Sequence, residues 1–60
     1  MSRYQVNYQR RDLDGQLVKG SVIYSERCAS YAITSASLAL AADEDTESFV
    51  ILDVKRVMWR

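Results

Sequence analysis

Between residues 3 and 10 the chain alternates without a break, with Tyr4, Val6 and Tyr8 on one side and Gln5, Asn7 and Gln9 on the other. Successive side chains of an extended strand point to opposite faces, so this pattern commits the segment to a strand with one face buried and one wet. Asp14-Gly15 follows closely. Asp-Gly supplies the positive φ angles of a type I′ turn, and with alternation on both sides it predicts a hairpin. The returning strand spans 17–24, with Val18, Val22 and Tyr24 on the core side and Leu17, Lys19, Ser21 and Ile23 on the other. Gly20 either weakens that strand or marks a bulge.

A helix is predicted over 26–42. Ser25 has the side chain to accept a first-turn N–H, and Glu26 sets a negative charge beside the positive end of the helix dipole. Cys28, Ala29, Ala32, Ile33, Ala36, Ala39 and Leu40 then share an arc of roughly 140°, the width of a stripe that faces a core. Because this stripe is mostly alanine, the helix axis can lie close to the strands, opposite bulky tyrosines. Residues 43–48 read as an acidic loop, and 49–59 as a long β-branched and aromatic strand. The expected architecture is α+β: a two-layer ββαβ domain over residues 1–60, one helix on a three-stranded antiparallel sheet of order 2-1-3. The second and third strands are its edges.

At 60 residues the chain has room for one domain and a marginal core. Cys28 is the only cysteine and histidine is absent, so there is no internal disulfide and no residue set for a structural zinc. A lone thiol suits a reducing compartment, and residues 1–8 lack the apolar run of a signal peptide, so the expected location is the cytoplasm, of a host cell if the protein is phage-encoded. The most apolar stretch, residues 31–42, is interrupted by Thr34, Ser35 and Ser37 and falls short of the ~20 residues of a membrane span. No membrane association is expected.

Without histidine, and with Cys28 placed on a buried stripe, no nucleophile and base can be paired, so the expectation is a non-enzymatic protein with no cofactor and no small-molecule substrate. The acidic run Asp43-Glu44-Asp45-Thr46-Glu47 lacks the spacing and turn glycine of a calcium loop and reads as a solvated link. Eight basic and eight acidic side chains cancel. Half of the acids lie within residues 43–47, however, while Arg3, Arg10, Arg11, Lys55, Arg56 and Arg60 flank the core, which makes the molecule dipolar.

Two surfaces qualify for binding. One joins the acidic loop, Asp43, Glu44 and Asp45, to a helix flank carrying Tyr31 and Leu38. The other is the open sheet face, expected to present Leu17, Ile23, Phe49, Ile51 and Val57 beside Asp53 and Lys55, with no second layer to cover it. Trp59 either folds over the core or acts as an aromatic anchor beside Arg60. Edge pairing through the third strand, in a homodimer or with a target, is a further route. An alternative use of the open face is nucleic-acid binding through Lys19, Lys55, Arg3 and Phe49, against which stand the zero net charge and the acidic loop.

The succession of hairpin, Ile23-Tyr24-Ser25-Glu26, an alanine-rich helix ending at Ala41-Ala42, an acidic link and Phe49-Val50-Ile51-Leu52-Asp53-Val54 resembles small phage proteins that disable host enzymes. Among these are the host RNA-polymerase inhibitor of podoviral phages and some anti-CRISPR proteins. The resemblance covers about residues 16–57; the chain departs from the polymerase inhibitor in its nearly uncharged helix and basic C-terminal end. It implies a phage or mobile-element inhibitor that occludes a host protein or protein–nucleic-acid complex, steered by surface charge.

Overall fold

The strand that comes first in sequence lies in the middle of the sheet. In a computed structural model, which describes residues 1–58, the order of elements is β1 (Ser2–Asp12), β2 (Leu17–Glu26), α1 (Ala29–Ala42) and β3 (Thr46–Val57). The sheet order is β2-β1-β3, and β1 is antiparallel to both neighbours. This is the α+β arrangement that the alternation and the single helical stripe predict. Trp59 and Arg60 lie outside the described residues.

The core is a thin layer between helix and sheet. Val6, Ala32 and Ala36 are fully buried, and Tyr4, Val22, Tyr24, Ile51 and Val54 pack against them. Burying one valine contributes about 1.5–3 kcal/mol, so a core this small depends on every member. Ala32, Ala36 and Leu40 repeat every four residues and form the helix's buried line, flanked by half-buried Ala29 and Ile33. The stripe is narrower than the sequence implies, because Cys28 and Ala39 are exposed.

Three local expectations are corrected. The helix starts at Ala29 rather than at residue 26, since the β1–β2 ladder pairs Ser25 with Arg3 and Glu26 with Ser2. Cys28 occupies the N-cap and makes no side-chain capping bond. Glu26 instead accepts from the Ser35 hydroxyl at 2.9 Å, tying the strand end to the helix. The hairpin turn has one extra residue. Gly15, with φ 82°, is the only described residue at positive φ; its N–H donates to the Asp12 carbonyl at 3.0 Å, and the Asp12 N–H donates to the Gln16 carbonyl at 2.9 Å. That is a three-residue loop closed by a left-handed glycine, not a type I′ turn. Asp12 Oδ1 holds it by accepting from the N–H groups of Asp14 and Gln16, both at 2.9 Å.

The third correction concerns β3. Its pairing with β1 slips twice: Asn7 faces Asp53 but Tyr8 faces Ile51, and Arg11 faces Ser48 but Asp12 faces Thr46. Leu52 and Glu47 are the extra residues of two β-bulges. A one-residue insertion reverses the facing of everything beyond it. Ile51 therefore points to the helix together with Val54, three positions away, and Phe49, paired with half-buried Arg10, follows Ile51 by alternation. Phe49 and Ile51 do not belong to the open face.

Gly20 marks no bulge. The β1–β2 register runs unshifted from Ser2↔Glu26 to Arg11↔Leu17, and Gly20 sits opposite Tyr8. A Cβ at Gly20 would lie 2.5 Å from the Tyr8 hydroxyl oxygen, so the glycine makes room for the tyrosine ring across the strand pair.

Candidate functional site: the open sheet face

One face of the sheet carries α1; no element of the described residues packs on the other. Its middle row is the polar side of β1: Arg3, Gln5, Asn7, Gln9 and Arg11. Cross-strand partners share a face, so the register sets Leu17, Lys19, Ser21, Ile23 and Ser25 of β2 on one side of this row. On the other side it sets Ser48, Val50, Asp53, Lys55 and Val57 of β3. Leu52, at the bulge beside Asp53 and half exposed, lines a shallow depression of about 300 Å³ with Asn7, Lys19 and Ser21 of this face and with Tyr8 and Gly20. A second depression, about 310 Å³, is lined by Gln9, Arg11, Leu17, Ser48, Phe49 and Val50, so Phe49 borders this face although the register sets its Cα pair with Arg10 on the helix side.

The result is a polar row between two broken apolar rows. Leu17, Ile23, Val50 and Leu52 are each about half exposed, at 57, 50, 54 and 49%. In the middle row Gln5 Nε2 donates to Asn7 Oδ1 at 3.0 Å, and Asn7 Nδ2 donates to the Asp53 carboxylate. These bonds fix the amide orientations and engage the Asp53 carboxylate. Arg3, Arg11, Lys19 and Lys55 make the face cationic although the chain as a whole is neutral.

The ends of the sheet carry opposite charge. Asp12 and Asp14 of the hairpin turn lie at the end where Asp43, Glu44, Asp45 and Glu47 link the helix to β3, because Asp12 pairs with Thr46. Arg3, Arg27, Lys55 and Arg56 lie toward the other end of a molecule 39 Å long, while Arg10 and Arg11 at the acidic end and Glu26 at the basic end reduce the separation without reversing it. The acidic link is shorter than expected, residues 43–45, since Thr46 already belongs to β3. It is also built as a turn. Asp43 Oδ1 accepts from the Asp45 N–H at 3.0 Å, Oδ2 accepts from the Thr46 hydroxyl at 3.0 Å, and the Asp43 carbonyl accepts from the Thr46 N–H at 3.1 Å. The bond from the Asp45 N–H, then that from Thr46, and then the nearby Arg10 charge hold the Asp43 carboxyl below its ordinary value despite an opposing desolvation effect. Asp43 is thus a structural carboxylate, whereas Glu44 and Asp45 are exposed acids of the same link.

The eight residues singled out in the sequence do not form one site. Tyr31 and Leu38 are 54 and 67% exposed on the helix flank, with Ser30, Thr34 and Ala41 exposed nearby, while Ser37 is half-buried. Asp43, Glu44 and Asp45 sit at the acidic end, Phe49 and Ile51 face the helix, and Trp59 lies outside the described residues. Val50, Leu52, Arg11 and the amide row were missed. The row was visible as the polar half of the first alternation; Val50 and Leu52 were hidden by the bulge. Arg3, Lys19 and Lys55 do share the open face, but Phe49, the aromatic considered for base stacking, has its register position on the helix side and only borders a depression of this face.

Among the described residues no group of three acidic or cysteine side chains is placed to hold a metal, and no helix is long and apolar enough to cross a membrane. Compared with known protein families, with curated proteins and with solved structures, the chain matches none.

Proposed function

We propose that this protein is a non-enzymatic binding module that acts in the cytoplasm by laying its open sheet face on an acidic surface of another protein, or of a protein–nucleic-acid complex, and blocking it. The observation that carries this reading is the uncovered face itself: half-exposed Leu17, Ile23, Val50 and Leu52 around a hydrogen-bonded amide row with cations at both ends. Exposed apolar groups beside ordered polar ones are the composition of an interface. The surplus of cations on that face selects against basic partners and favours encounter with acidic ones. The likeness in element order to phage inhibitors of host enzymes supports an occluding role and a host target.

Nucleic-acid binding is the second reading, favoured by the clustering of Arg3, Arg11, Lys19 and Lys55. It is the weaker one, because no described aromatic residue has its register position on this face, Tyr8 and Phe49 only bordering its depressions, whereas single-strand binders stack bases on aromatic rings. The test is affinity capture from a bacterial lysate with and without nuclease, using the parent chain, Leu52→Glu and Leu38→Glu. A nuclease-resistant protein partner, lost with Leu52→Glu and kept with Leu38→Glu, is the expected result. Loss with Leu38→Glu alone moves the interface to the helix flank, and loss on nuclease treatment moves the function to nucleic acid.

A further inference from the structure

The two edges of the sheet are protected unequally. Natural edge strands avoid unwanted pairing by means of bulges, charges and prolines. β3 has two bulges and carries Glu47, Asp53, Lys55 and Arg56 along its length. β2 has an unshifted register, no proline, and a single charged residue, Lys19, before Glu26 at its end.

Which groups β2 presents outward follows from the turn. The Asp12 N–H donates to the Gln16 carbonyl, and bonded pairs alternate along an antiparallel ladder. Val18, Gly20, Val22, Tyr24 and Glu26 therefore bond to β1, and Leu17, Lys19, Ser21, Ile23 and Ser25 direct their N–H and C=O groups away from the sheet. On the helix side of the same edge, Val18, Val22 and Tyr24 are only half-buried.

We propose that this edge pairs with the same edge of a second copy, antiparallel across a twofold axis at Ser21, forming one continuous six-stranded sheet. Faces stay in phase in this register. Val18 meets the second copy's Tyr24 and Gly20 meets its Val22 on the helix side; Leu17 meets its Ser25 and Lys19 its Ile23 on the open side. Charge selects a second copy as the occupant. Extending the register past the strand ends sets Arg27 of each copy opposite Gly15 of the other, in the turn that carries Asp12 and Asp14. Antiparallel pairing thereby lays the acidic turn of one molecule along Arg27 of its twin, and no like charges are directly paired, Lys19 facing Ile23 and Glu26 facing Gln16. A register shifted to centre on Val22 would instead set Glu26 against Val18.

The test is sedimentation equilibrium of the parent chain over about 10 µM to 1 mM, a range suited to an interface of modest area. The expected species has twice the 6.9 kDa chain mass. Ser21→Pro removes an N–H that points away from β1, so it should return the mass to that of one chain while keeping the far-ultraviolet circular dichroism of the fold. Ser21→Lys and Ser21→Glu place like charges opposite each other at the axis; each alone should weaken association at least tenfold, and an equimolar mixture should restore it. The charge pair carries the test if the proline variant fails to fold. A parent chain that stays single up to 1 mM overturns the proposal, as does a dimer that survives both charged variants or a mixture that fails to restore it.

Discussion

β2 and β3 flank the same central strand at similar length, yet one pairs without a fault and the other slips twice. The difference lies in how each is connected. β2 is joined to β1 by a three-residue loop whose Gly15 conformation and Asp12 hydrogen bonds fix the register at its first pair. From there the alternation has only one way to run. β3 arrives through a helix and the turn at residues 43–45, and no short loop dictates its phase. Its register is set by which side chains reach the helix and by contacts such as Asn7 to Asp53.

Deletions should separate the two cases most sharply. Removing Lys19 reverses the facing of the rest of β2 and sends Val22 and Tyr24 to the wet side, and the expected outcome is no cooperative unfolding transition by circular dichroism. Removing Leu52 deletes the bulge and leaves Ile51 and Val54 facing the helix in plain alternation. That chain should fold with a stability within about 1 kcal/mol of the parent, measured by urea titration. If both deletions unfold the protein, the bulge is required by the packing rather than permitted by the connection.

Point substitutions give a smaller contrast between neighbours. Ile51→Ser removes a core side chain and should cost about 2–4 kcal/mol, whereas Leu52→Ser, one residue along, should change stability by less than about 0.5 kcal/mol. Equal losses would mean that the assigned faces of β3 are wrong. On the regular ladder, Gly15→Ala should cost about 1–2 kcal/mol through its positive φ. Gly20→Ala should cost about 1 kcal/mol by displacing the Tyr8 ring, and Gly20→Ala in a Tyr8→Leu background should cost less.

The smallest effect belongs to the turn before β3. The Asp43 carboxyl titrates below its ordinary value of 3.8, so its contribution to stability is fully present above that pH and is lost as pH falls through the lowered value. Asp43→Asn should lower the urea midpoint at neutral pH, and the gap between parent and variant should close as pH falls below about 4. A gap that persists at pH 2 would mean that the side-chain geometry, not the charge, secures the turn. Reversing Glu44 and Asp45 to lysine, with Asp43 retained, probes this end of the molecule without dismantling its turn.

Alternation made most of the architecture legible. Tyr4, Val6 and Tyr8 against Val18, Val22 and Tyr24 defined two strands and the side on which the helix packs, and Asp14-Gly15 located the hairpin. The helix start was misread because Ser25 and Glu26 carry capping chemistry. A cap contributes about 1 kcal/mol, and pairing with Arg3 and Ser2 outweighed it. The phase of β3 was hidden for another reason. Residues 49–52 are all apolar, so either unbroken alternation buries hydrophobic groups, and only the three-residue spacing of Ile51 and Val54 reveals a slip. The open face was legible along β1 and illegible along β3. The site residues Phe49 and Ile51 were misplaced by that one inserted leucine.

The opposed charges at the two ends have a consequence outside any single contact. A molecule with equal numbers of cations and anions does not drift in a uniform electric field, but one with its charges separated along a 39 Å axis turns in it. On an ion-exchange column near neutral pH this protein should bind weakly to both resin types, end-on in opposite senses, and salt should release it from each. Near a charged macromolecule the same torque orients the protein before contact, so its approach is selective in direction even though its attraction at long range is nil.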